Sequence, residues 1–514
     1  MSQDSNALPS RRQMLTGSLA AAGAMVTTGA PVAALAEAPA SVKKWDQEYD
    51  VIVVGFGVAG GSAAAEAVRA GAKVLVLDRA SAAANESHGT TYYLGGGTGL
   101  QKKLGIEDTP DNMFRFLQAL YGKSTSEEKI RLYCEKSVEH YEWLVKAGVP
   151  FTGELHPDSW PEHGASDGLF FSGEENSYPF REIAKPCQRG HSVADWTGGP
   201  ILQKKLLDET KAKGVTQLLA ADAKQLAIGA DGSVEGVLAE IDGKVRAFRA
   251  RRGVILATGG FANNRDMVAN NAPDFALCDP IDVGANDGWG HRAGKSVGGQ
   301  LRHMDAGVAY FPMYPPLSRK DAILVNKLGQ RFIHEDAYYG VLGSAVVRQQ
   351  KGLAYLICDT QAAGEIQGKG LLGPGGDIVQ AKGNTIAELE KALGIPEPGL
   401  QQTMDTYNRY AAKGEDPFFR KNKRHVRVLK GPYVALLAEA GKSYTPFFTL
   451  GGLATNAKSE VLNDDGNVIH GLYACGRVAS GITAQYYFST GLSLGECSFF
   501  GRIAGVSAAA NKTA

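Results

Sequence analysis

The strongest constraint on the fold is a strand, a glycine-rich turn and a helix that follow one another in residues 49–80, "YDVIVVGFGVAGGSAAAEAVRAGAKVLVLDRA". Gly55 permits a tight turn after the apolar strand, and Gly57 lets the backbone approach a pyrophosphate. Gly60 lets the helix pack closely against the strand. A second apolar strand then ends at an acidic residue, Asp78. This order of elements predicts a Rossmann-like, dinucleotide-binding α/β domain.

The polar groups of this unit match the parts of a dinucleotide. The helix that begins near Val58 and Ala59 offers backbone amides and the positive end of its dipole to phosphates. Asp78 is placed to accept hydrogen bonds from ribose hydroxyls, and Arg79 follows it directly. We therefore predict that all four residues contact the cofactor.

Two further glycine-rich stretches decide which dinucleotide is expected. "SHGTTYYLGGGTG" (87–99) follows the second strand closely, as if a longer cofactor continued past the pyrophosphate, and "RRGVILATGGFANN" (251–264) contains another apolar strand. Since no second strand-anchored G-x-G-x-x-G occurs, a separate nicotinamide site is not indicated, and FAD is predicted as the redox cofactor. The candidate contacts in and between these stretches are Thr90, Thr91, Gly95, Gly96, Ala223, Ala257, Thr258 and Gly259.

Composition limits the partners that the protein can bind. The chain has 54 basic and 54 acidic residues with no basic block, so neither nucleic acid nor an anionic membrane surface is an evident partner. No apolar run after the N-terminal segment reaches the roughly 18 residues that a membrane-spanning helix needs. No two cysteines form a C-x-x-C pair, so no metal site is expected. The cysteines, predicted to be buried small hydrophobes, are at 134, 187, 278, 358, 475 and 497.

The first 36 residues are predicted to be a twin-arginine export signal. Arg11 and Arg12 precede a weakly apolar run rich in Ala and Gly, and an A-x-A pattern ends at Ala36. Proteins exported in this way are folded beforehand, which suits a chain that takes up its cofactor in the cytoplasm. We therefore expect a periplasmic or otherwise exported protein.

The rest of the chain shows helical periodicity and a β-meander. Residues 216–260 alternate short apolar runs with Asp-Gly turns at 231–232 and 242–243, as hairpins do. Apolar residues at helical spacing, with proline and glycine at the ends, mark the remaining helices. The predicted helices are 110–148, 201–213, 386–394 and 398–412.

Over residues 49–506 the chain resembles flavoproteins of the fumarate reductase and 3-ketosteroid dehydrogenase superfamily. The segments that carry the likeness are "VIVVGFGVAGGSAA", "GVILATGGF", "GANDGWGHRAG", "LGQRFIHED", "TLGGLATNAKSEVL" and "GLYACGRVASG". The resemblance implies a Rossmann-like FAD-binding domain, split by an inserted α+β substrate or capping domain. The implied parts are 45–296 and 442–514 for the FAD-binding domain and 297–441 for the insertion.

The same resemblance implies further cofactor contacts. Asp287 of "ANDG" is expected to meet the flavin or its ribityl chain, and the backbone of Ser493 and Leu494 is expected to reach the pyrimidine end of the ring. Gly476 and Arg477 of "GLYACGRVASG" complete the predicted set. A histidine in a Ser-His-Thr context binds the flavin covalently in the succinate dehydrogenase branch. His88 falls about two positions too early for this role, so we expect no covalent attachment.

Two departures from the family pattern bear on the substrate. The fumarate reductase branch holds a dicarboxylate with a histidine before "T-M-G-G" and an arginine three residues after the glutamate of "R-F-x-N-E". Phe448 and Tyr338 stand at these positions here. Replacing cations by aromatic rings removes the charge and the bidentate geometry that carboxylates need. We infer a small, mostly apolar substrate.

The stretch "QYYFSTGLSLG" (485–495) indicates which branch the chain is similar to. The ketosteroid 1-dehydrogenases typically have Y-x-G-x-G-x-x-L-G here, whereas this chain has Ser489 two residues after Tyr487. This arrangement resembles the 3-oxosteroid 4-dehydrogenase branch, in which a tyrosine and a serine act with a tyrosine of the inserted domain. The predicted catalytic residues are therefore Tyr338, Tyr487 and Ser489.

The predicted reaction introduces a double bond between C4 and C5 of a 3-oxosteroid. Tyr487, assisted by Ser489, removes a proton from C4, and N5 of FAD accepts hydride from C5; an external electron acceptor then reoxidises the flavin. Because a phenol has a pKa near 10, Tyr487 needs a depressed pKa or a relay through the serine hydroxyl. A 1-dehydrogenase, an ene-reductase acting on an apolar enone and a non-catalytic flavoprotein remain alternatives.

Overall fold

The computed structural model of the protein describes residues 38–80, 89–159, 167–281, 284–312, 317–366 and 378–511. The predicted export signal at 1–36 and His88 lie outside these ranges. Within them the chain alternates strands and helices. The strands are β1 Gln47–Val54, β2 Val74–Leu77, β3 Thr91–Tyr93, β4 Glu154–Ser159, β5 Gly168–Phe171, β6 Gly190–Ser192, β7 Thr216–Leu218, β8 Asp222–Ile228, β9 Val234–Ile241, β10 Lys244–Leu256, β11 Asp279–Pro280, β12 Leu301–Arg302, β13 Gly307–Ala309, β14 Ile323–Val325, β15 Leu353–Asp359, β16 Val379–Gly383, β17 Tyr433–Glu439, β18 Pro446–Thr449, β19 Gly452–Leu453, β20 Glu460–Leu462 and β21 Val468–Ala474.

Helices cover the sheets and connect them. Short helices lie within the loops, and the longest helix lies at the C-terminal end of the described chain. The helices are α1 Val58–Arg69, α2 Gly99–Lys103, α3 Pro110–Tyr121, α4 Glu127–Glu135, α5 Ser137–Lys146, α6 Phe180–Ile183, α7 Gly198–Ala212, α8 Arg265–Asn271, α9 Trp289–Ser296, α10 Tyr339–Gln349, α11 Thr360–Ile366, α12 Ile386–Leu393, α13 Gly399–Ala411 and α14 Leu492–Ala510. None of them is both long and apolar enough to cross a bilayer.

The main sheet has the strand order β20-β21-β10-β1-β2-β7. The contacts β21-β10, β10-β1, β1-β2 and β2-β7 are all parallel. Parallel strands covered on both faces are apolar throughout, and Val51–Val54 and Val74–Leu77 are accordingly buried. This is the Rossmann-like α/β architecture that the sequence predicts.

The predicted β-meander is confirmed. β8, β9 and β10 pair antiparallel in turn. Asp242 and Gly243, with φ of 51° and 71°, form a two-residue loop between β9 and β10. Two positive φ angles in such a loop match a turn whose twist fits the flanking strands. β10 is longer than expected, because the same strand leaves the hairpin and continues beside β1 into the parallel sheet.

The helix predicted over 110–148 is three helices, α3, α4 and α5. Thr109 caps the first with its side chain, and the chain then turns through 122–126, which is rich in Gly, Ser and Thr. These residues favour turns because their side chains or backbone freedom compete with helix. The other predicted helices are confirmed within a few residues. Gly394, with a φ of 66°, caps the C-terminus of α12.

A separate antiparallel sheet, β14-β15-β17-β16, lies within the predicted insertion. Two strands near the start of the predicted insertion pair with strands of the C-terminal part. β12 pairs with β19, and β13 pairs with β18. The described chain thus contains a parallel α/β layer and an α+β segment, as the fold class predicts. The boundaries at 297 and 441 stay a prediction.

Two helices pack closely because small residues face each other. A side chain at Gly501 would come within 2.3 Å of the Ala59 carbonyl oxygen, and one at Gly505 within 2.2 Å of that of Ala63. Glycine at these positions therefore lets α14 lie directly on α1. The consequence is that the N-termini of both helices open onto the same cavity.

Candidate active site

A cavity of about 1070 Å³, partly open to solvent, lies at the carboxyl ends of the parallel strands. Ligands of α/β sheets bind at this edge, where helix N-termini and loops converge. Most of the residues predicted to hold the cofactor line it. They are Gly55, Gly57, Val58, Ala59, Asp78, Arg79, Ala223, Ala257, Thr258, Gly259, Asp287, Gly476, Arg477, Ser493 and Leu494.

The glycines of the cavity leave no room for side chains. Gly55 has φ of +97°, and a Cβ there would lie 2.5 Å from the Ala257 carbonyl oxygen. A Cβ at Gly60 would lie 1.9 Å from the Gly55 carbonyl oxygen, so Gly60 serves helix–strand packing behind the cavity wall. Both results agree with the separate tasks that the sequence assigns to them. The wall is therefore bare backbone that can approach a pyrophosphate.

Asp78 holds the glycine-rich turn as well as facing the cavity. Its Oδ2 accepts the Phe56 N–H at 2.6 Å, and its Oδ1 accepts the Ala80 N–H at 2.8 Å. Burial raises the pKa of Asp78, while these two hydrogen bonds act to lower it. A carboxylate has about four acceptor positions, so ribose hydroxyls can still bind it.

Asp287 lies at the same end of the cavity as Asp78. Its Oδ2 is 3.0 Å from the Arg79 guanidinium, and its Oδ1 accepts the Trp289 N–H at 2.9 Å. The ion pair is substantially exposed to solvent. Asp287 therefore lies close to Asp78, the predicted ribose-binding acid, and its own contact with the flavin stays a prediction.

The donors of the cavity suit a dinucleotide. The N-terminal residues of α1 and α14 line it, and the Thr258 hydroxyl is buried without a hydrogen-bond partner among the described residues. Helix N-termini bind phosphates and other electron-rich oxygens. The residues present thus fit a dinucleotide cofactor. That the 55–60 turn meets its pyrophosphate, and that Ser493 and Leu494 meet the pyrimidine end of its ring, stay predictions.

Five residues of the predicted cofactor-binding set do not line the cavity: Gly60, which packs behind its wall, and four residues of the 87–99 stretch. Gly95 donates its N–H to Ser137 Oγ at 2.9 Å, and Gly96 donates to Asp108 Oδ2 at 3.1 Å. Thr90 donates its hydroxyl to the Val193 carbonyl oxygen. Thr91 lies under Gly491, and its hydroxyl has no partner among the described residues. The cofactor contacts of Thr90, Thr91, Gly95 and Gly96 stay predictions.

Several cavity residues were missed from the sequence. Asn286 accepts the Gly260 N–H at 2.8 Å, and its Oδ1 occupies the space that a side chain at Gly259 would need. Trp289 donates its indole N–H to the Lys224 carbonyl oxygen at 3.1 Å. Cys497 lies one turn into α14. Asn286 and Trp289 both belong to "GANDGWGHRAG", so that stretch contained a usable signal.

Beside the cavity, five aromatic residues form a cluster: Tyr310, Tyr338, Tyr339, Phe448 and Tyr487. The ring centroids are 6.2 Å apart for Tyr338 and Tyr487, 5.3 Å for Phe448 and Tyr487, and 4.6 Å for Tyr310 and Tyr339. Tyr338, Phe448 and Tyr487 are almost fully buried. Phe448 takes its place from β18, so an apolar ring stands where relatives are expected to have a cation.

Local backbone geometry places the two catalytic candidates. Tyr338 is the residue just before α10, and a Cβ at Gly340 would lie 2.6 Å from its ring. Tyr487 and Ser489 precede Gly491, which has φ of +87° and begins α14. Each candidate is thus held at a helix start, where a glycine gives the tyrosine ring or the chain the space it needs.

The hydroxyl groups of the cluster differ from the expected Tyr487–Ser489 pair. Tyr487 Oη accepts the Ser493 N–H at 3.0 Å, and Ser493 itself lines the cavity. The hydroxyls of Ser489 and Tyr338 are buried, and neither has a hydrogen-bond partner among the described residues. Buried polar groups without partners are costly, so these two groups are candidates for ligand contact.

Burial raises the pKa of Tyr487, and the neighbouring phenol of Tyr310 raises it further. The Ser493 hydrogen bond and the Arg477 charge act in the opposite direction. Burial likewise raises the pKa of Tyr338 well above its ordinary value. Of the two ways considered for activating Tyr487, a depressed pKa is therefore wrong, because removal from water disfavours the phenolate.

Arg477 joins the cavity to the aromatic cluster. Its guanidinium carbon lies 4.0 Å from the centroid of the Phe448 ring, and one of its nitrogens lies 3.4 Å from Ser493 Oγ. A cation over an aromatic face is held by the ring quadrupole. Arg477 thus puts positive charge beside the Tyr487 hydroxyl without removing the apolar wall.

The fold and the cavity define a dinucleotide-binding flavoprotein. A family model described as FAD binding domain matches residues 50–494, and the chain belongs to this family. FAD is therefore the cofactor, as the sequence predicts, and the protein is an FAD-dependent oxidoreductase. The chain also belongs to the fumarate reductase and 3-ketosteroid dehydrogenase superfamily.

A solved structure and two curated relatives are similar over most of the chain. The structure is 3-ketosteroid-delta4-(5alpha)-dehydrogenase from Rhodococcus jostii RHA1 in complex with 4-androstene-3,17-dione; it is 40% identical with a TM-score of 0.85, covering 92% of this chain and 99% of that one. Urocanate reductase from Eggerthella lenta is 29% identical over 90% of this chain and 75% of the relative. 3-oxo-5-alpha-steroid 4-dehydrogenase from Comamonas testosteroni is 28% identical over 84% and 93%.

Proposed function

We propose that the protein is a 3-oxosteroid 4-dehydrogenase that introduces the C4–C5 double bond. The observation that carries the proposal is the buried aromatic cluster beside the cofactor cavity, in which Tyr338 and Tyr487 lie with Phe448. The Ser489 hydroxyl is buried two residues from Tyr487, and Phe448 stands where the fumarate reductase branch is expected to have a cation. The similar Rhodococcus enzyme was solved with a steroid enone, which supports the same substrate class. Because that enzyme is named as a 5α dehydrogenase, we expect saturated 3-oxosteroids of the 5α series to be the substrates here.

Tyr487 removes the C4 proton in this proposal. The 3-oxo group makes that proton acidic, because charge moves to the carbonyl oxygen as the proton leaves. A hydrogen-bond donor at that oxygen is commonly worth about 3 kcal/mol. Tyr338 has a buried hydroxyl without a described partner, and we assign it to orienting the carbonyl or moving a proton.

The phenol of Tyr487 needs help because burial raises its pKa. The Ser493 N–H already donates to its oxygen, and Arg477 adds positive charge nearby. Ser489 supplies the remaining element, a hydroxyl that can pass the proton onward. FAD held in the cavity would supply the acceptor for the hydride that leaves C5. An external electron acceptor then takes up the electrons.

The test is flavin bleaching without oxygen. Saturated 3-oxosteroids of the 5α and 5β series, 4-androstene-3,17-dione and succinate are mixed separately with the oxidised holoenzyme. We expect the 5α steroid to bleach the flavin and succinate to leave it yellow. Bleaching by succinate in preference to the steroids would contradict the proposal. The reverse reaction tests the ene-reductase alternative. If the enone reoxidises the reduced enzyme faster than the saturated steroid bleaches the oxidised enzyme, the protein acts mainly as an ene-reductase.

We also propose that the protein is exported through the twin-arginine pathway. The proposal rests on Arg11 and Arg12, the apolar run after them and the A-x-A pattern at 34–36. We expect cell fractionation to find FAD-loaded protein in the periplasm. Replacing both arginines by lysine should retain it in the cytoplasm, and equal export of this variant would contradict the proposal.

A further inference from the structure

We propose that residues 172–175, "SGEE", set the position of Tyr338 against Tyr487 and Ser489, and that Glu174 is the positioning residue. The inference rests on the proposed function, because it assigns the segment to the proton step. The three catalytic candidates come from two distant parts of the chain. The 172–175 segment contacts both parts with backbone and carboxylate groups.

The first contact is with the segment that carries Ser489. The Thr490 N–H donates to the Ser172 carbonyl oxygen at 2.8 Å, and Gly173 forms an isolated antiparallel bridge with Ser489. A Cβ at Gly173 would lie 1.9 Å from the Phe488 carbonyl oxygen. The two backbones therefore touch, and only glycine permits this approach.

The second contact is with Tyr338. Glu174 Oε1 accepts the Tyr338 N–H at 2.5 Å. Tyr338 is the residue that precedes α10, so this carboxylate holds the start of the helix from another segment of the chain. Glu174 is almost fully buried, and no solvent competes for the hydrogen bond. The catalytic tyrosine is thus tied to the 172–175 segment at its own backbone.

The segment is held rigid because its second carboxylate, that of Glu175, accepts hydrogen bonds from within the segment. Glu175 Oε2 accepts the Gly173 N–H at 2.7 Å, and the Ser172 hydroxyl donates to Glu175 Oε1. On the other side, His334 Nε2 lies 3.8 Å from Glu174 Oε2. Glu174 therefore has a cationic partner as well as the amide that it holds.

Positioning of this kind affects rate more than binding. A misplacement of about 1 Å between reacting groups can cost about 100-fold in rate. Loss of the Glu174 bond frees the start of α10, and the Tyr338 ring loses its fixed distance from Tyr487. The cofactor cavity contains neither Glu174 nor Tyr338, so FAD binding should not change.

Two substitutions separate the effect of the length of the Glu174 side chain from the effect of its charge. Glu174→Gln keeps an oxygen that can accept the Tyr338 N–H but removes the charge, whereas Glu174→Asp keeps the charge but shortens the side chain. We expect Glu174→Asp to lower kcat for a saturated 3-oxosteroid at least about tenfold with KM within about threefold. Glu174→Gln should retain most of kcat. Equal kcat in wild type and Glu174→Asp, or a larger loss in Glu174→Gln, would overturn the proposal.

Glu390→Asp is the matched control. Glu390 is also buried and accepts backbone N–H groups at the start of a helix, from Leu400 at 2.6 Å and Gln401 at 3.1 Å, but it lies outside the 172–175 segment. We expect this variant to keep kcat within about threefold of wild type. A loss equal to that of Glu174→Asp would show a general effect of buried carboxylates and overturn the proposal.

Hydrogen exchange provides a readout that does not depend on turnover. In the FAD-loaded protein, amides of residues 336–342 should exchange faster in Glu174→Asp than in wild type and Glu174→Gln, with no change in Glu390→Asp. Unchanged exchange in Glu174→Asp would overturn the proposal. If wild type oxidises no steroid, the proposed function fails, whereas the exchange rates still decide whether Glu174 holds Tyr338.

Discussion

The cofactor cavity and the aromatic cluster are adjacent but are built in different ways. The cavity is made mostly from backbone: glycines without space for side chains, helix N-termini and a carboxylate that accepts backbone amides. The cluster is made from side chains: five rings, four of them phenols, brought from β18, the residue after β13, the start of α10 and the segment before α14. Ser493 and Arg477 are the residues that contact both.

The difference teaches which region determines cofactor and which determines chemistry. A backbone cavity can hold the same dinucleotide in many relatives, because it depends on turns rather than on particular side chains. A cluster of rings and hydroxyls can change substrate by single replacements, and we infer such a change at Phe448, where the fumarate reductase branch is expected to have a histidine. Substitutions in the two regions should therefore have separable effects on FAD affinity and on rate.

The largest expected effect is on rate, from Tyr487→Phe. Loss of the phenol oxygen removes the proposed base, and general acid–base catalysis is worth about 100- to 10,000-fold. FAD content and the absorbance of the bound flavin should stay as in wild type. Stopped-flow measurement of anaerobic flavin reduction checks this. Tyr486→Phe is the control, because Tyr486 is 46% exposed; if both variants lose rate equally, Tyr487 has no special role.

Gly60→Ala should affect the other region. A Cβ there would lie 1.9 Å from the Gly55 carbonyl oxygen, so the turn that meets the pyrophosphate must move. We expect FAD affinity to fall about 100-fold, equivalent to about 3 kcal/mol. Titration of the apoprotein with FAD measures this. Gly364→Ala, where no atom lies within 4 Å of the new Cβ, should bind FAD normally.

The pH dependence of stability tests the contact between the 172–175 segment and the inserted part. Burial alone would lower the pKa of His334, but its hydrogen bond to Asp336 and the charges of Glu174, Asp336 and Glu335 raise it to about 9. Because this pKa is above the ordinary value of 6.5, the stabilisation is fully present below about pH 6.5 and is lost as pH rises through 9.

The expected loss in the free energy of unfolding between these pH values is about 1–3 kcal/mol. Urea denaturation of the holoenzyme at pH 6.5 and at pH 9.5 measures it. His334→Gln should flatten this dependence. An unchanged pH dependence in that variant would assign the effect to other groups.

Ser489→Ala should have the smallest effect, a loss of about tenfold in the rate of flavin reduction, because the serine only passes the proton on. The double variant with Tyr487→Phe sharpens the comparison. If Ser489 acts through Tyr487, the two losses are not additive, and Ser489→Ala has little further effect in the Tyr487→Phe background. Additive losses would mean that Ser489 acts independently of Tyr487.

Prediction from sequence succeeded where neighbours in the chain determine the structure. The β1–α1–β2 unit, the Asp-Gly hairpin turns and the helices after residue 380 depend on local periodicity and turn residues, and each is present. The single helix over 110–148 was wrong because its periodicity continued through a turn of small polar residues. Asn286 and Trp289 were missed although their motif had been recognised.

The activation of Tyr487 could not be predicted in the same way. The sequence places Ser489 two residues away, but the hydrogen bond to Tyr487 comes from Ser493, the second residue of a helix whose position depends on its packing against α1. Likewise, nothing in "SGEE" indicates that Glu174 reaches Tyr338 across 164 residues of chain. Such contacts arise only when distant segments are packed together.

The sequence by itself determined the dinucleotide-binding unit, the cofactor and the identity of the phenol and alcohol groups at the site, because glycine spacing and strand and helix periodicity are local properties of a chain. Only the tertiary structure decided which of those hydroxyls are left without partners, how burial raises the pKa of the Tyr487 phenol and which distant carboxylate holds Tyr338. Removal from water and contacts between remote segments are the physical causes of all three, and neither exists until the chain is folded.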